Sequence, residues 1–430
     1  MNHSIWLAGA SGDVTESVLS ASEWLASVKA VERDGEFFRA YDTARQGLAE
    51  HPDSLPLRHR AVLVLARSGA TEQAQALYRQ LGLEGRQETD IPELEARLLK
   101  DVALAASDGE ERVRLLLVAA EKYAAAYRRT GSYYSGINVA NLLLLAGRPE
   151  RAAEIAGRLA TELTTMTPPA GEEGFWVLAT LAEAHVIRGD IEAAAEALSE
   201  AIDASDGNHA WRSTAARSIL NATLAKRLPV EWLKALAPPA VIHYVGHIIS
   251  APGQTGRFPA TAEAAVAARI VEFLAARGVG YGSLAAGADI LFAEALLARR
   301  AQLHVLLPFR VDDFVAESVR PSGEGWVRRF EACLGKAKSV RFATEDEYLG
   351  DDTLYGYSGR LAMGLAVLAS QYLFAPIEQI AVWDRGPARG AAGTTIDALA
   401  GAIFNKRTAS PNSTTETLVD DSRAKPTSGG

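Results

Sequence analysis

The pattern of hydrophobic and polar residues changes near residue 240. Before that point, alanine and leucine dominate one helix-like segment after another, and strand-like segments are hard to find. From residue 241 the stretch VIHYVGHII is rich in β-branched and aromatic residues, which favours a strand. Pro238 and Pro239 lie at the junction and prevent a helix from continuing through it. The pattern therefore predicts a helical part followed by a part that contains strands.

A short unit recurs in the helical part: a glycine, followed five residues later by an alanine. Glycine tolerates the positive φ of a turn between two helices, and alanine allows the next helix to pack closely. The first two copies lie 34 residues apart, which is the tetratricopeptide period, whereas the later spacings are irregular. We therefore predict a tetratricopeptide-like solenoid, with an unrelated helical bundle as the alternative. The copies are Gly35/Ala40, Gly69/Ala74, Gly147/Ala152 and Gly189/Ala194.

Strand-like and helix-like segments alternate in the second part. Residues 261–278 favour a helix with a threonine cap and a terminal glycine. The segments LHVLLPF, SVRFA and QIAVWD favour strands, and helical patterns around residues 326–338 and from about residue 358 separate them. This alternation predicts a Rossmann-like, doubly wound parallel sheet, so the expected fold class is α-helical repeats followed by α/β.

We expect three regions along the chain: helical repeats over residues 1–236, a sheet domain over residues 240–404 and a tail over residues 405–430. The tail is rich in serine, threonine, proline and glycine. Such a segment cannot bury enough apolar surface to fold, so we expect it to be disordered.

Composition narrows the possible partners and location. The 430 residues are 48% hydrophobic and 23% charged, as in soluble proteins of two or three domains. The net charge of −9 argues against a nucleic-acid partner, because such proteins need a basic face. No segment resembles a signal peptide or a bilayer span, and the single cysteine, Cys333, cannot form an intrachain disulfide. We therefore expect a cytoplasmic protein that contacts no membrane.

Three loops containing glycine follow predicted strands, where open parallel sheets bind ligands. They are Gly246-His247, GSLAAGAD over residues 282–289 and DRGPARGAAGTTIDAL over residues 384–399. Backbone N–H groups in such turns, followed by a helix N-terminus, can cradle an anion, and threonine hydroxyls can add donors. The sequence therefore predicts a site for a nucleotide-like small molecule. The predicted residues are Gly246, His247, Gly282, Ser283, Gly287, Asp289, Gly390, Gly393, Thr394 and Thr395.

Several of these residues have a structural alternative. His247 could contact a phosphate or a base, or could serve the local turn. Asp289 could bond a ribose hydroxyl or cap a helix. His243 and His304 lie within predicted strands, where we expect core or face positions. The sequence contains no metal-ligand spacing, Walker loop or Gly-x-Ser-x-Gly motif, so we expect neither a metal nor an obligatory cofactor.

The helical part resembles the TRAFs-binding helical-repeat domain over roughly residues 30–230. Two stretches carry the resemblance: YYSGINVANLLLLAGRPERA from residue 133 and FWVLATLAEAHVIRGDIEAA from residue 175. That domain occurs in stress-activated MAP kinase kinase kinases and in many bacterial proteins. The resemblance implies a protein-interaction and regulatory platform, and no catalytic residues carry over from it.

The second part, over about residues 241–404, resembles the SMF/DprA–LOG superfamily, which has a Rossmann-like nucleotide-binding fold. The loop from Gly282 is similar to its Gly-Gly-Gly-x-x-Gly turn. Gly390, Gly393 and Thr394 match its Pro-Gly-Gly-x-Gly-Thr-x-x-Glu motif. The chain departs from the motif at three positions, with Arg389 for proline, Ala391 for glycine and Asp397 for glutamate.

The resemblance to Lonely-guy enzymes of this superfamily implies a nucleotide N-glycosidic hydrolase as one alternative. Those enzymes use the motif glutamate and an arginine on the long helix before the last strand. Arg360 is the best match to the arginine, but Leu361 stands where a lysine is expected. Asp397 is one methylene shorter than glutamate, and a misplacement of about 1 Å can cost on the order of a hundredfold in rate. Hydrolysis therefore does not follow from the resemblance alone.

Three functional hypotheses remain open. The first is a bacterial signalling protein whose repeats bind a partner protein and whose sheet domain binds NAD, ADP-ribose, a cyclic nucleotide or a nucleoside monophosphate. The second is a hydrolase in which Asp397 stabilises developing charge and Arg360 holds phosphate. The third is a scaffold whose sheet domain has lost its ligand. Relatives of the sheet domain often dimerise, so a homodimer is also open.

Overall fold

The computed structural model describes residues 19–33, 35–88, 90–384 and 414–418. The chain forms two compact units, one containing residues up to 166 together with 183–190, the other containing 167–182 and the residues from 191 onward. The helices that precede the sheet are α1 (Ala21–Arg33), α2 (Phe37–Glu50), α3 (Leu55–Arg67), α4 (Thr71–Gln80), α5 (Ile91–Ala105), α6 (Gly109–Thr130), α7 (Tyr133–Leu145), α8 (Pro149–Thr164), α9 (Glu172–Arg188), α10 (Ile191–Ala204) and α11 (His209–Ala225).

The predicted glycine–alanine units occupy the junctions between successive helices. The four glycines have φ values from 71° to 91°, a region that other residues rarely adopt. The four alanines are fully buried, each in the first turns of the following helix. A larger side chain at these positions would hold the two helices apart. The helical-repeat prediction is therefore confirmed.

One helical pair lacks the sequence unit, which explains the wide spacing between the second and third copies. The pair of α5 and α6 lies between the second and third copies, and Gly109 at the start of α6 has no positive φ. Asp108 instead caps α6, accepting a hydrogen bond of 2.7 Å from the backbone N–H of Glu111. A carboxylate at this position satisfies an otherwise unpaired N–H group and favours the helix dipole.

The second unit contains a parallel sheet with the strand order β4-β3-β2-β1-β5-β6 among the described residues. The strands are β1 (Ala240–Gly246), β2 (Arg277–Gly282), β3 (Gln302–Leu307), β4 (Ser339–Phe342), β5 (Ile377–Val382) and β6 (Thr414–Leu418). The helices that connect them are α12 (Glu263–Phe273), α13 (Ala288–Ala298), α14 (Val311–Ser318), α15 (Glu324–Leu334) and α16 (Thr353–Leu373). The predicted α/β arrangement is confirmed.

The two faces of this sheet are covered by different helices. Residues of α12, α13 and α15 pack with Ile242 and Tyr244 of β1 in the larger core. Residues of α16 pack with Val241 and Val279 on the opposite face. Alternate residues of a strand point to opposite faces, so β1 is apolar almost throughout because both of its faces are covered.

A row of polar and aromatic side chains crosses the face under α16, at one register position of five neighbouring strands. The Nδ1 atom of His304 lies 2.8 Å from the Ser339 hydroxyl, and the His304 ring stacks on Tyr281 at 4.4 Å. The Gln379 amide lies 3.2 Å from Nδ1 of His243. Burial lowers the pKa of His243 to about 4, so its ring is neutral near pH 7.

The strand β6 lies within the stretch for which we predicted disorder. Its sequence TTETL contains β-branched threonines, which fit a strand, and it continues the sheet beside β5 in parallel register. The other residues of the predicted tail lie outside the described part of the chain. Within the described part, the helices are too short or too polar to cross a bilayer.

Candidate functional site

The strand order places a topological switch between β1 and β5. The chain leaves β1 toward β2, β3 and β4 on one side, whereas β5 and β6 lie on the other side. In open parallel sheets a crevice forms at such a point, outside the carboxyl ends of the strands, and ligands bind there. The loops after Gly246 and Val382 flank this switch point, and the loop after Gly282 lies one strand away.

Two predicted glycines allow close packing at this edge. A Cβ added to Gly246 would overlap the Cβ of Ala288 at the start of α13. A Cβ added to Gly282 would overlap the ring of Tyr244. Both glycines are therefore explained by contacts within the unit, and their ligand contacts remain a prediction.

Gly287 brings two loops together by their backbones. Its φ of 108° favours glycine, and a Cβ there would lie 2.5 Å from the backbone nitrogen of Ile249. The Ile249 N–H donates to the carbonyl of Ala286 at 3.0 Å, and the Ala288 N–H donates to the carbonyl of His247 at 3.3 Å. The loop after β1 is thus bound to the turn before α13.

The amide cradle expected in the GSLAAGAD loop is already partly used. The N–H of Ala286 donates to the carbonyl of Ser318 at 3.0 Å. The N–H of Ala285 donates to the carboxylate of Asp289 at 3.3 Å, and this carboxylate is buried in the first turn of α13. The Asp289 carboxylate therefore holds the loop before α13. It does not cap the helix, because the N-cap residue is Gly287 and no side-chain cap hydrogen bond forms there. A ribose contact of Asp289 remains a prediction. An anion at this loop would have to use the remaining donors.

Ser283 is one such donor. Its hydroxyl is buried and has no hydrogen-bond partner among the described residues. Its carbonyl accepts a hydrogen bond of 3.2 Å from the Tyr244 hydroxyl, which fixes the backbone directly after β2. A buried hydroxyl without a partner is costly, and a ligand oxygen would relieve that cost.

Three ionisable side chains meet at the switch point, and we call His247, Arg257 and Asp384 the switch-point cluster. Oδ1 of Asp384 lies 3.2 Å from Nε2 of His247 and 3.6 Å from Nη1 of Arg257. Their side chains are only 8–12% exposed. The cluster ties the segment after β1 to the segment after β5, which are 137 residues apart in the chain. It brings a guanidinium and an imidazole to the point where the strand order favours a ligand.

Arg257 was missed at the sequence level. It lies in the stretch TGRFP, in the long loop between β1 and α12. The available signal was a single arginine in a loop that contains glycine and proline and directly follows the first strand. An arginine in that position can bind a phosphate through two parallel N–H donors.

No contact among the described residues connects the remaining predicted site residues to the switch-point cluster. Arg360 lies on α16 and is exposed, two turns from the N-terminus of the helix. Asp397, Gly390, Gly393, Thr394 and Thr395 lie outside the described residues.

Comparison with known proteins gives one family match and several similarities to solved structures, including those to two tetratricopeptide-repeat proteins. The family model described as tetratricopeptide repeats-sensor matches residues 36–144. A tetratricopeptide-repeat protein of Thermus thermophilus is 14% identical, with 47% of this chain and 100% of that chain covered and a TM-score of 0.38. One from Parabacteroides merdae is 13% identical, with 50% and 98% covered and a TM-score of 0.22.

No curated protein matches the chain. The family match begins just before α2 and ends one residue before the end of α7. The helical hairpins repeat within this region. The match and the hairpin geometry together support a tetratricopeptide-like repeat. This is the coarser part of the resemblance expected from the sequence.

Proposed function

We propose that the protein couples a helical-repeat platform for a partner protein to a sheet domain that binds a nucleotide or nucleotide derivative. The observation that carries the nucleotide part is the switch-point cluster, which lies where the strand order reverses. Tetratricopeptide repeats commonly present extended surfaces to proteins, which supports the platform part. The word sensor in the matched family's description supports a signalling use of the two together.

The charges of the cluster favour a phosphate as the recognised group. The Arg257 guanidinium can donate two parallel hydrogen bonds to phosphate oxygens, and His247 can donate a third. Asp384 lies 3.6 Å from Arg257 and partly neutralises it. An incoming phosphate then takes the place of Asp384 as the partner of Arg257. This exchange would alter the tie between the loops after β1 and β5, and so gives the ligand a structural consequence.

The resemblance to the SMF/DprA–LOG superfamily supports the same ligand class. In that fold the nucleotide lies at the carboxyl edge of the sheet, where Ser283 and the switch-point cluster are found. The resemblance to the TRAFs-binding domain adds a regulatory partner as part of this proposal. The exposed position of Arg360 gives no support to the hydrolase alternative.

Ligand titration of the purified protein tests the nucleotide part. AMP, ADP-ribose, NAD and a cyclic nucleotide are titrated by calorimetry into the wild type, Arg257→Gln and Arg269→Gln. Arg269 is a matched control because its side chain is 60% exposed on α12 and contacts Glu272 and Phe273, both on that same helix. We expect Arg257→Gln to weaken binding about 10- to 100-fold, since a hydrogen bond to a charged group contributes about 1.5–3 kcal/mol.

The possible outcomes separate the three hypotheses. Equal affinity of both variants would remove Arg257 from the site. A panel without any binding would favour the scaffold. Release of free nicotinamide or adenine from the ligand would favour the hydrolase, and its loss in Asp397→Ala would assign the carboxylate.

A further inference from the structure

A second cluster of polar side chains lies in the helical repeats, between α5, α6 and α7. We call Arg97, Lys100, Asp101, Tyr123, Tyr134 and Asn138 the α5–α7 cluster. The Lys100 ammonium donates to the Asn138 side-chain oxygen at 2.7 Å and lies 5.8 Å from the centre of the Tyr123 ring. The hydroxyls of Tyr123 and Tyr134 lie 3.4 Å apart. Two cations, two phenols and a carboxamide thus meet within three neighbouring helices.

The groups of the cluster are not fully satisfied by one another. Nε of Arg97 and Oδ2 of Asp101 lie 3.5 Å apart, and neither atom has a well-formed hydrogen bond among the described residues. Both side chains are about one-fifth exposed, and Tyr134 is 39% exposed. These two atoms face each other and are inaccessible to solvent, whereas other parts of the Arg97 and Tyr134 side chains are exposed. A ligand would therefore use the exposed parts of these side chains and the Lys100 donors that Asn138 does not occupy.

The electrostatic balance of the cluster is positive. Arg97 and Lys100 are opposed within it by the single carboxylate of Asp101. Burial acts to raise the pKa of the Tyr134 hydroxyl, yet Lys100, Arg97, the hydrogen bond with Tyr123 and Arg67 together outweigh it and the net shift is downward. Three of these lowering contributions come from cations, in agreement with the charge balance of the cluster. The resulting positive potential attracts an external anion.

The surroundings of the cluster limit the size of such an anion. Glu93, one turn before Arg97 on α5, accepts a hydrogen bond of 2.6 Å from the Ser135 hydroxyl. Glu95 on the same helix pairs with Lys122 at 2.8 Å. These carboxylates would repel a second negative group that extended beyond the two cations. The arrangement thus suits one compact oxyanion and disfavours a long acidic segment.

We propose that the α5–α7 cluster binds the oxyanion group, phosphate or carboxylate, of a small molecule. Arg97 and Lys100 supply the charge, and the Tyr134 hydroxyl supplies a further donor from the exposed side. Asn138 holds the Lys100 ammonium in place. This site is separate from the switch-point cluster and does not depend on a ligand there.

Calorimetric titration with inorganic phosphate, pyrophosphate and succinate tests the proposal on the full chain. The variants are Lys100→Gln, Arg97→Gln and Tyr134→Phe, with Arg39→Gln as the control, because Arg39 is 58% exposed on α2. We expect saturable binding of at least one anion and a loss of affinity of about tenfold or more in Lys100→Gln and Arg97→Gln. Stronger binding of the phosphates or of succinate identifies the preferred oxyanion.

Tyr134→Phe keeps the proposal testable if removal of a charged residue unfolds the repeats. This variant removes one hydroxyl from a partly exposed ring. Bound anion should raise the pKa of Tyr134, seen as a tyrosine absorbance titration that shifts in the wild type and not in Tyr134→Phe. No saturable binding, or equal binding by all variants, would overturn the proposal. Binding lost only in Arg257→Gln would also overturn it, since the anion would then occupy the sheet domain.

Discussion

Gly287→Ala tests whether the turn before α13 is built on direct backbone contact with the loop after β1. Gly287 has φ of 108°, and an added Cβ would lie 2.5 Å from the nitrogen of Ile249 and 2.9 Å from the carbonyl oxygen of His247. Gly323→Ala is the matched control in the same unit. It has a similar φ of 113°, but an added Cβ would meet no atom within 4 Å.

The two substitutions share one cost and differ in another. Placing alanine at such a φ costs about 1–3 kcal/mol in either position. At Gly287 the backbones must also separate, and overpacking of this kind costs a further ~1–3 kcal/mol. Gly287→Ala should therefore destabilise its surroundings by about 1–3 kcal/mol more than Gly323→Ala.

Hydrogen exchange followed by mass spectrometry gives the local measurement. The Ile249 amide is bonded to the carbonyl of Ala286 at 3.0 Å and should be protected in the wild type. We expect exchange of the peptide over residues 247–250 to accelerate about 5- to 150-fold more in Gly287→Ala than in Gly323→Ala. Equal acceleration, or none in either variant, would refute the reasoning that close backbone approach requires glycine here.

Three further predictions concern the stability contributed by buried groups. Each is tested by urea unfolding monitored by circular dichroism. Glu32→Gln should lower the free energy of unfolding by about 2–4 kcal/mol, because this buried carboxylate pairs with Arg60 and Arg67; an unchanged midpoint would contradict a structural ion pair. Ala152→Leu should cost about 1–3 kcal/mol, since Ala152 is fully buried between helices, and a neutral result would contradict close packing there. Stability should fall as pH decreases from about 6.5 to about 4, because His243 has its folded pKa lowered to about 4 and the unfolded state binds the proton more readily. The contribution of His243 totals about 3 kcal/mol and is fully present above the pKa that histidine has in the unfolded chain. It should disappear from the pH profile of His243→Gln. An unaltered slope in that variant would contradict the prediction.

Local features of the sequence predicted the elements well. The glycine–alanine units predicted the helical junctions because a positive φ and a small side chain are requirements of single positions. The pair α5 and α6 escaped that pattern because Asp108, a different type of cap, opens its second helix. The alternation of strands and helices after residue 240 similarly predicted the parallel sheet.

The candidate sites were only partly predictable. Gly246, Gly282 and Gly287 were expected to approach a ligand, yet their missing side chains are explained by Ala288, Tyr244 and the 247–249 backbone. Such contacts depend on where another segment of the chain lies, which local patterns do not encode. Arg257 carried no motif that distinguished it from an arginine in an ordinary loop.

The sequence by itself determined most of the helices and the strands β1, β3, β4 and β5, because propensity, periodicity and turn chemistry act over a few neighbouring residues. It did not determine β2, which overlaps the end of the predicted helix over residues 261–278, or β6, which lies in the stretch predicted to be disordered. Only the tertiary structure decided that β1 lies between β2 and β5 and that His247 meets Asp384 from 137 residues away. It likewise decided that Lys100 meets Asn138 across two helices. These pairings follow from how whole helices and strands pack. That packing depends on the free energy of burial and desolvation over the complete fold, and a few neighbouring residues do not decide it.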